Sequence, residues 1–542
     1  MISMKFNLFE KVIVFLIIGI IFILIFSINK GFDLKDEGLH LALSNPYQEN
    51  NFAQLNQNIF FNTINKILNV YPSIIGLRII KIVLLIISYL LIWSVLRFFK
   101  VRRFFIFFYL IGIFGHYAYF SQSLSYNTLT YFFWICIIFL IFNYVYCHKS
   151  LFFIFFIGFI SGLIFLVKST VGILLIPLIL FLLLLEWFDY KKNGILIVSI
   201  SLFCFGFLCV QFSFSSEINF LQVIENGFEL SDFNSTHNTL SIIKYPLSAF
   251  RWVFVLFFSG FFLKRGIASY RAKQKNLSFV MFFVLFLYFI LSHNKLDFSK
   301  SWEYLPLAVS YVLIGFLFSG MEINNLKRKD FIFFFIVFVS PLIISFGSNV
   351  YHFSSGIIHI SFSFFLISIF YNNQKIKLPN YFNFIILGLS AIIFLRVAFN
   401  TIFSPFNQPS LLNELQSYSY YDGKSIMIPK SYHRYLTDLK KVLNKNVPES
   451  RSLLGLYEMP GDILLAGRYN YINPCVWEHY QYDFYIGLEN KKNSIDSLYI
   501  LTRHFNAIED LDLYPIEMLD SLMDYNNEKL YLIKGRVKLD SN

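Results

Sequence analysis

Asp33-Leu34-Lys35-Asp36-Glu37-Gly38-Leu39-His40 follows directly on an apolar run at 11–28. Its three carboxylates sit where a segment long enough to cross a bilayer comes to an end. Charge is costly near hydrocarbon, so ionisable residues at a membrane face point to function. In helical form Asp36 and His40 share a face at i, i+4, as do Asp33 and Glu37. Asp36 and Glu37 then point about 100° apart, so one faces the protein while the other faces water. A buried carboxylate beside a hydroxyl can take its proton as a general base. The same residues also suit a plain helix start, with Asp33 as cap and Asp36 and Glu37 in a first turn that favours negative charge. Spacing alone leaves both open.

The chain of 542 residues is 56% hydrophobic and only 14% charged, against about 25% charged in a soluble domain. This composition indicates a polytopic α-helical membrane protein. Apolar runs of roughly 17 residues or more mark crossings. They fall at 11–28, 73–96, 104–120, 128–146, 151–167, 171–187, 195–213, 248–263, 278–293, 304–320, 331–346, 354–371 and 381–400. That predicts about thirteen transmembrane helices, with only Lys168-Ser169-Thr170 between the fifth and sixth. Lys5 and Lys11 lead into the first run, and no small-residue cleavage site follows it, so it reads as an uncleaved signal anchor.

A net charge of +12 raises nucleic acid as a partner. The charge lies instead in alternate short loops: Arg97, Lys100, Arg102 and Arg103, then Lys191 and Lys192, then Lys327, Arg328 and Lys329, while 121–127 and 346–356 carry no basic residue. This is a topology signal and argues against nucleic acid. It places the N-terminus in the cytoplasm, and the acidic cluster and C-terminal tail outside. Cys136, Cys147, Cys204 and Cys209 lie in or beside apolar runs and Cys475 in the tail, with no disulfide framework or zinc spacing.

The first outer loop, 29–72, contains an amphipathic pattern. Phe52, Leu55, Ile59, Phe60, Ile64, Ile67 and Leu68 recur at helical spacing, which predicts a helix in the interface or packed on the bundle. Residues 1–400 form the membrane module, and 401–542 change to a mixed, soluble character. Short β-like runs at 425–428, 452–456, 498–501 and 530–533, with a helical stretch over 431–444, predict a small outer-face α/β domain.

The order of these parts resembles the C-type (GT-C) integral membrane glycosyltransferases, in the branch of protein O-mannosyltransferases and lipid A aminoarabinose transferases. That family carries an Asp-Glu-x-x-aromatic/His motif in its first outer loop, matched here by Asp36-Glu37-Gly38-Leu39-His40. Gly76-Leu77-Arg78-Ile79, Ser125-Tyr126-Asn127, Lys168-Ser169-Thr170 and Lys300-Ser301-Trp302-Glu303-Tyr304-Leu305-Pro306 look like further family positions in the same order. The resemblance covers most of 8–400 and implies that Asp36 is the catalytic base, with Glu37 supporting it. Where several family members carry another acidic residue after the third span, 121–127 has none. A two-loop divalent-metal site therefore lacks a ligand, and Asp36, Glu37 and His40 remain as local candidates for an ion.

Basic residues at outer helix ends suit the second half of such chemistry. A lipid-phosphate sugar donor leaves a phosphate behind, and neutralising that charge speeds its departure. Arg78, Lys81, Lys168, Lys295 and Lys300 are candidates, with Arg78, Lys168 and Lys300 assigned to the donor phosphate. Their alternative role is to snorkel to lipid headgroups. His40, Asn127 and Tyr304 are placed to orient sugar or acceptor.

The expected protein is a bacterial inner-membrane glycosyltransferase. It takes a polyprenyl-phosphate-linked sugar and a glycolipid, glycan or protein acceptor, and transfers with inversion. Rivals are a surface-polysaccharide ligase or polymerase and a lipid-linked glycan flippase or transporter. A transporter would show inverted repeats and midplane polar residues, and neither is visible.

Overall fold

The computed structural model describes residues 7–45, 73–117, 122–147, 150–175, 179, 193–214, 239–271, 277–292, 301–321, 326–346, 357–374, 381–405, 407–420, 423–449, 451, 453–456, 459–469, 498–503 and 513–537. Their helices are α1 (Leu8–Ser27), α2 (Asp36–Ser44), α3 (Ile74–Phe98), α4 (Arg103–Tyr117), α5 (Tyr126–Phe142), α6 (Leu151–Val167), α7 (Asn193–Phe214), α8 (Thr239–Arg271), α9 (Leu277–Ser292), α10 (Ser301–Ser319), α11 (Arg328–Ile344), α12 (Ile360–Asn372) and α13 (Tyr381–Ala398). The amphipathic stretch 52–68 lies outside the described residues.

Twelve of the thirteen apolar runs coincide with a helix. The run 171–187 falls mostly outside the described residues. Among those described, six helices are long and apolar enough to cross a membrane: Leu8–Ser27, Ile74–Phe98, Tyr126–Cys147, Leu196–Ser213, Ala249–Tyr270 and Tyr381–Phe403. The chain is thus mostly helical, consistent with a membrane protein.

Helix starts follow local chemistry. Asn7 Oδ1 accepts from the Glu10 amide and Glu10 Oε2 accepts from the Asn7 amide, a capping box that opens α1. Ser73 Oγ accepts from the Gly76 amide and opens α3. Each helix then sorts its faces. On α1, Ile13, Ile17, Ile20 and Leu24 turn inward while Phe15, Phe22 and Ile25 remain exposed. On α3, Leu77, Arg78, Lys81, Leu85, Ser88 and Ile92 turn inward while Ile79, Val83, Ile86 and Leu90 remain exposed. Exposed Phe, Ile, Val and Leu on a long helix suit hydrocarbon and not water. Two cations sit on the buried stripe of α3, so that stripe is more than packing.

After α13 come strands β1 (Leu415–Ser419) and β2 (Ser425–Pro429), helix α14 (Lys430–Asn446), β3 (Leu453–Gly455), the short helix α15 (Pro460–Leu465), β4 (Leu498–Thr502), β5 (Leu513–Met523) and β6 (Lys529–Val537). β1 and β2 form an antiparallel hairpin, and the other four make a sheet in the order β3-β4-β6-β5. β3 runs parallel to β4, while β6 is antiparallel to both β4 and β5. α14 buries Tyr432, Tyr435, Leu436, Leu439 and Leu443. β2, β3, β4, β6 and α14 lie where the sequence pattern put them; β1 and β5 are additional.

This sheet region is fastened to the start of the chain. The Gly31 amide donates to the Met427 carbonyl at 2.7 Å, and the Met427 amide donates to the Asn29 carbonyl at 3.0 Å. The Ile74 amide, at the start of α3, donates to the Tyr420 hydroxyl at 3.4 Å. The Gly461 amide, in α15, donates to the Leu34 carbonyl at 3.0 Å. All four hydrogen bonds close on residues 29–34, beside or within the acidic motif, or on the start of α3.

Candidate functional site

The acidic motif is both a helix start and a cluster of ionisable side chains. α2 begins at Asp36, and Asp33 stands outside it, later than a helix over 33–43 would have it. Asp33 Oδ1 accepts from the Lys35 amide at 2.9 Å and Oδ2 from the Asp36 amide at 3.2 Å. Asp33 is therefore the residue that satisfies the free amides at the helix entrance. Burial first, then the charges of Asp36 and Glu37, push its carboxyl well above the usual range.

Glu37 is fully buried, and both of its oxygens are saturated. Oε1 accepts from Arg78 Nε at 3.0 Å and from Ser123 Oγ at 2.6 Å. Oε2 accepts from Arg78 Nη2 at 2.8 Å and from the Asp33 amide at 3.1 Å. Burial opposes the Glu37 charge, but the Arg78 charge and these hydrogen bonds outweigh it and hold the carboxyl below its ordinary value. A carboxylate held this way stays ionised and has no lone pair left for a substrate hydroxyl.

Arg78 is equally committed. Besides Glu37, Nη1 donates to the carbonyls of Ser27, Ile28 and Lys30 at 3.1, 3.1 and 2.9 Å, and Nη2 to that of Gly31 at 2.8 Å. All five N–H groups of the guanidinium are used within the protein. From the sequence Arg78 is a donor-phosphate candidate. In the structure it ties the end of α1 to α2.

Asp36 and His40 take the rest of the motif. Asp36 is half-buried in the first turn of α2, and His40, one turn on, is 7% exposed. Burial takes the His40 imidazole down to about 4; Glu37 opposes this and Lys81 adds to it. The ring is neutral at physiological pH. Its edge meets Tyr126 with centroids 6.2 Å apart. Tyr126 in turn lies under Lys168, whose Nζ is 5.8 Å from the ring centroid.

Lys168 ends α6 and donates to the Ile344 carbonyl at 2.9 Å. It is half-buried, and burial lowers its ammonium to about 7. Asn127 follows Tyr126 and is half-buried. Lys81, 1% exposed, donates to the Tyr117 carbonyl at 3.2 Å and lies over the Tyr117 ring at 4.8 Å. The structure thus brings Asp36, Glu37, His40, Arg78, Lys81, Asn127 and Lys168 to one end of the helices. Tyr304 lies in the first turn of α10, described by its backbone alone. Lys295, Lys300 and Cys475 lie outside the described residues.

Asp36, Glu37 and His40 do not fit a divalent ion. Among the described residues no three acidic, His or Cys side chains converge as ligands. The Glu37 oxygens, which an ion would need, are taken by Arg78, Ser123 and the Asp33 amide.

No known protein family and no curated protein matches the chain.

Ser123 and Tyr126 were not singled out from the sequence. Ser123 lies in the segment notable for lacking an acid, and it supplies a hydroxyl to the existing one. Tyr126 stands inside a motif already quoted, next to Asn127, and its ring is the contact between His40 and Lys168. A further polar set lies deeper, where His116 meets the Ile358 carbonyl and Thr128 Oγ1 at 3.3 Å each, and Tyr131 meets Ser361 at 2.7 Å. These groups partner one another across α4, α5 and α12, as buried polar groups between helices do.

Proposed function

We propose that the chain is a membrane glycosyltransferase that moves a sugar from a polyprenyl-phosphate donor to an acceptor hydroxyl, with inversion. The observation that carries this reading is the division of labour between adjacent carboxylates. Glu37 is saturated by Arg78, Ser123 and the Asp33 amide and so is unfit as the base, and the role falls to Asp36, half-buried one turn before a neutral His40. The ordered motifs resembling C-type glycosyltransferases support the same assignment.

In the proposed reaction Asp36 takes the acceptor hydroxyl proton as the oxygen attacks the anomeric carbon. The bond from that carbon to the phosphate oxygen breaks, and polyprenyl phosphate departs. Lys168, with Lys81 and Lys300, neutralises the departing charge. His40, Asn127 and Tyr304 orient sugar or acceptor, and Glu37 with Arg78 holds the helix that carries Asp36. The proposed topology has thirteen crossings, a cytoplasmic N-terminus, and the acidic site and C-terminal region outside, in a bacterial inner membrane. The acceptor is a glycolipid, glycan or protein.

The test is release of polyprenyl phosphate by the full chain in nanodiscs, given polyprenyl-phosphate-linked sugars and outer-face acceptors. Asp36→Asn should lower the rate by about 10²–10⁴-fold, the usual worth of a general base. A folded Asp36→Asn protein with undiminished transfer overturns the mechanism. Vesicles that move the lipid-linked sugar without transferring it would favour the transporter reading.

A further inference from the structure

We propose that Gly461 is a positioning residue, through which the C-terminal region fixes the turn that presents Asp36. The inference rests on the glycosyltransferase reading above for its kinetic consequence, but not for its structural one.

The contact is backbone against backbone. The Gly461 amide donates to the Leu34 carbonyl at 3.0 Å, between Asp33 and Lys35. A Cβ on Gly461 would collide with that carbonyl oxygen and stand 2.9 Å from the Leu34 Cα. A Cβ on Gly38 would collide with the Gly461 Cα. Neither glycine has a positive φ, so what each supplies is space for close approach, not an unusual conformation. Gly38 directly follows Glu37, and Leu34 directly follows Asp33. The two faces that meet α15 are therefore the two ends of the acidic turn.

α15 is itself held from the sheet side. Asp462 is fully buried; its Oδ1 accepts from the Tyr435 hydroxyl at 2.6 Å and lies 3.6 Å from Arg503 Nη2. Arg503 Nε donates to Asp524 Oδ2 at 2.7 Å. Ile463, Leu464 and Leu465 are buried. The turn is thus held both by Arg78 and by an α15 that is itself anchored to α14 and the sheet. A displacement of about 1 Å in a catalytic group costs on the order of 100-fold in rate.

The experiment uses the full chain in nanodiscs, with Gly461→Ala, Gly38→Ala, the double variant, and Gly388→Ala as control. Gly388 lies in α13, and a Cβ there meets nothing within 4 Å. Amide hydrogen exchange over residues 33–39 and steady-state transfer are measured together. Gly461→Ala should speed exchange in that segment by about tenfold while the other helices keep theirs. It should lower kcat by about 100-fold with the donor KM within about twofold, a split that general loss of folded protein does not give. The double variant should be no worse than the poorer single, because both remove one contact.

Should Gly461→Ala not fold, Tyr435→Phe loosens α15 without added atoms and should move both readouts the same way. Unchanged exchange at 33–39 in the alanine variants overturns the proposal, as does faster exchange with unchanged kcat. A wild-type protein without transfer activity overturns the glycosyltransferase reading alone, and exchange at 33–39 then decides whether α15 holds the turn.

Discussion

Arg78 grips Glu37 at two points, Nε to Oε1 at 3.0 Å and Nη2 to Oε2 at 2.8 Å, with both side chains fully buried. The parallel pairing is the strongest form of this ion pair, and the fork geometry belongs to arginine.

Removing one partner leaves the other charged and buried without compensation. Glu37→Gln and Arg78→Ala should each destabilise the protein by about 3–5 kcal/mol. Arg78→Lys should not rescue it, because an ammonium cannot reach Glu37 and four carbonyls together. Thermal unfolding of the detergent-solubilised protein measures this. An Arg78→Ala protein as stable as wild type, but unable to bind donor, would return Arg78 to the phosphate.

Lys168 carries a pH prediction for activity. Burial lowers its ammonium to about 7, so the free protein loses this positive charge as pH rises through that value. If the proposed phosphate donor binds the charged form, kcat/KM for the donor should fall above about pH 7. Lys168→Arg keeps its charge and should make the fall shallower over the same range. A wild-type profile that is flat from pH 6 to 9, by about twofold or better, removes Lys168 from the phosphate.

His40 carries a pH prediction for stability. Its folded value of about 4 lies below the ordinary 6.5, so between these the unfolded chain binds more protons than the folded one. Stability from this group therefore rises with pH from about 4 to 6.5 and is complete above that window. Thermal midpoints of wild type and His40→Gln should diverge across the window, with the wild type showing the steeper acid loss. Parallel curves would mean that His40 titrates normally in the folded protein.

The helices were legible because each apolar run is a direct report of burial in hydrocarbon or in the bundle, and run length reports helix length. The hairpin β1–β2 was half visible. Ser425–Pro429 is apolar and Leu415–Ser419 is not, since β1 reads Leu-Gln-Ser-Tyr-Ser and buries only Tyr418 among its five residues. β5 was hidden by Pro515 and by register shifts at 515/517 and 518/520, which break the alternation that marks a strand.

The site was legible in its members but not in its pairings. Sequence spacing gives Asp36 with His40 and Arg78 with Lys81, because each pair is one turn apart on one helix. It cannot give Glu37 with Arg78, or Gly38 with Gly461, because those contacts are made by the fold. Asp33 as helix cap is one of the two open readings, and the structure has it accept the Lys35 and Asp36 amides at the helix start.

The links from Met427 to Gly31 and from Gly461 to Leu34 also set an order in time. A ribosome delivers the acidic motif to the membrane early and its last structural partner late. Until residues 420–465 have emerged, the nascent protein carries Asp36 on a turn held from one side only. A translation product that stops short of this region therefore carries the motif without the backbone contact that Gly461 makes on Leu34.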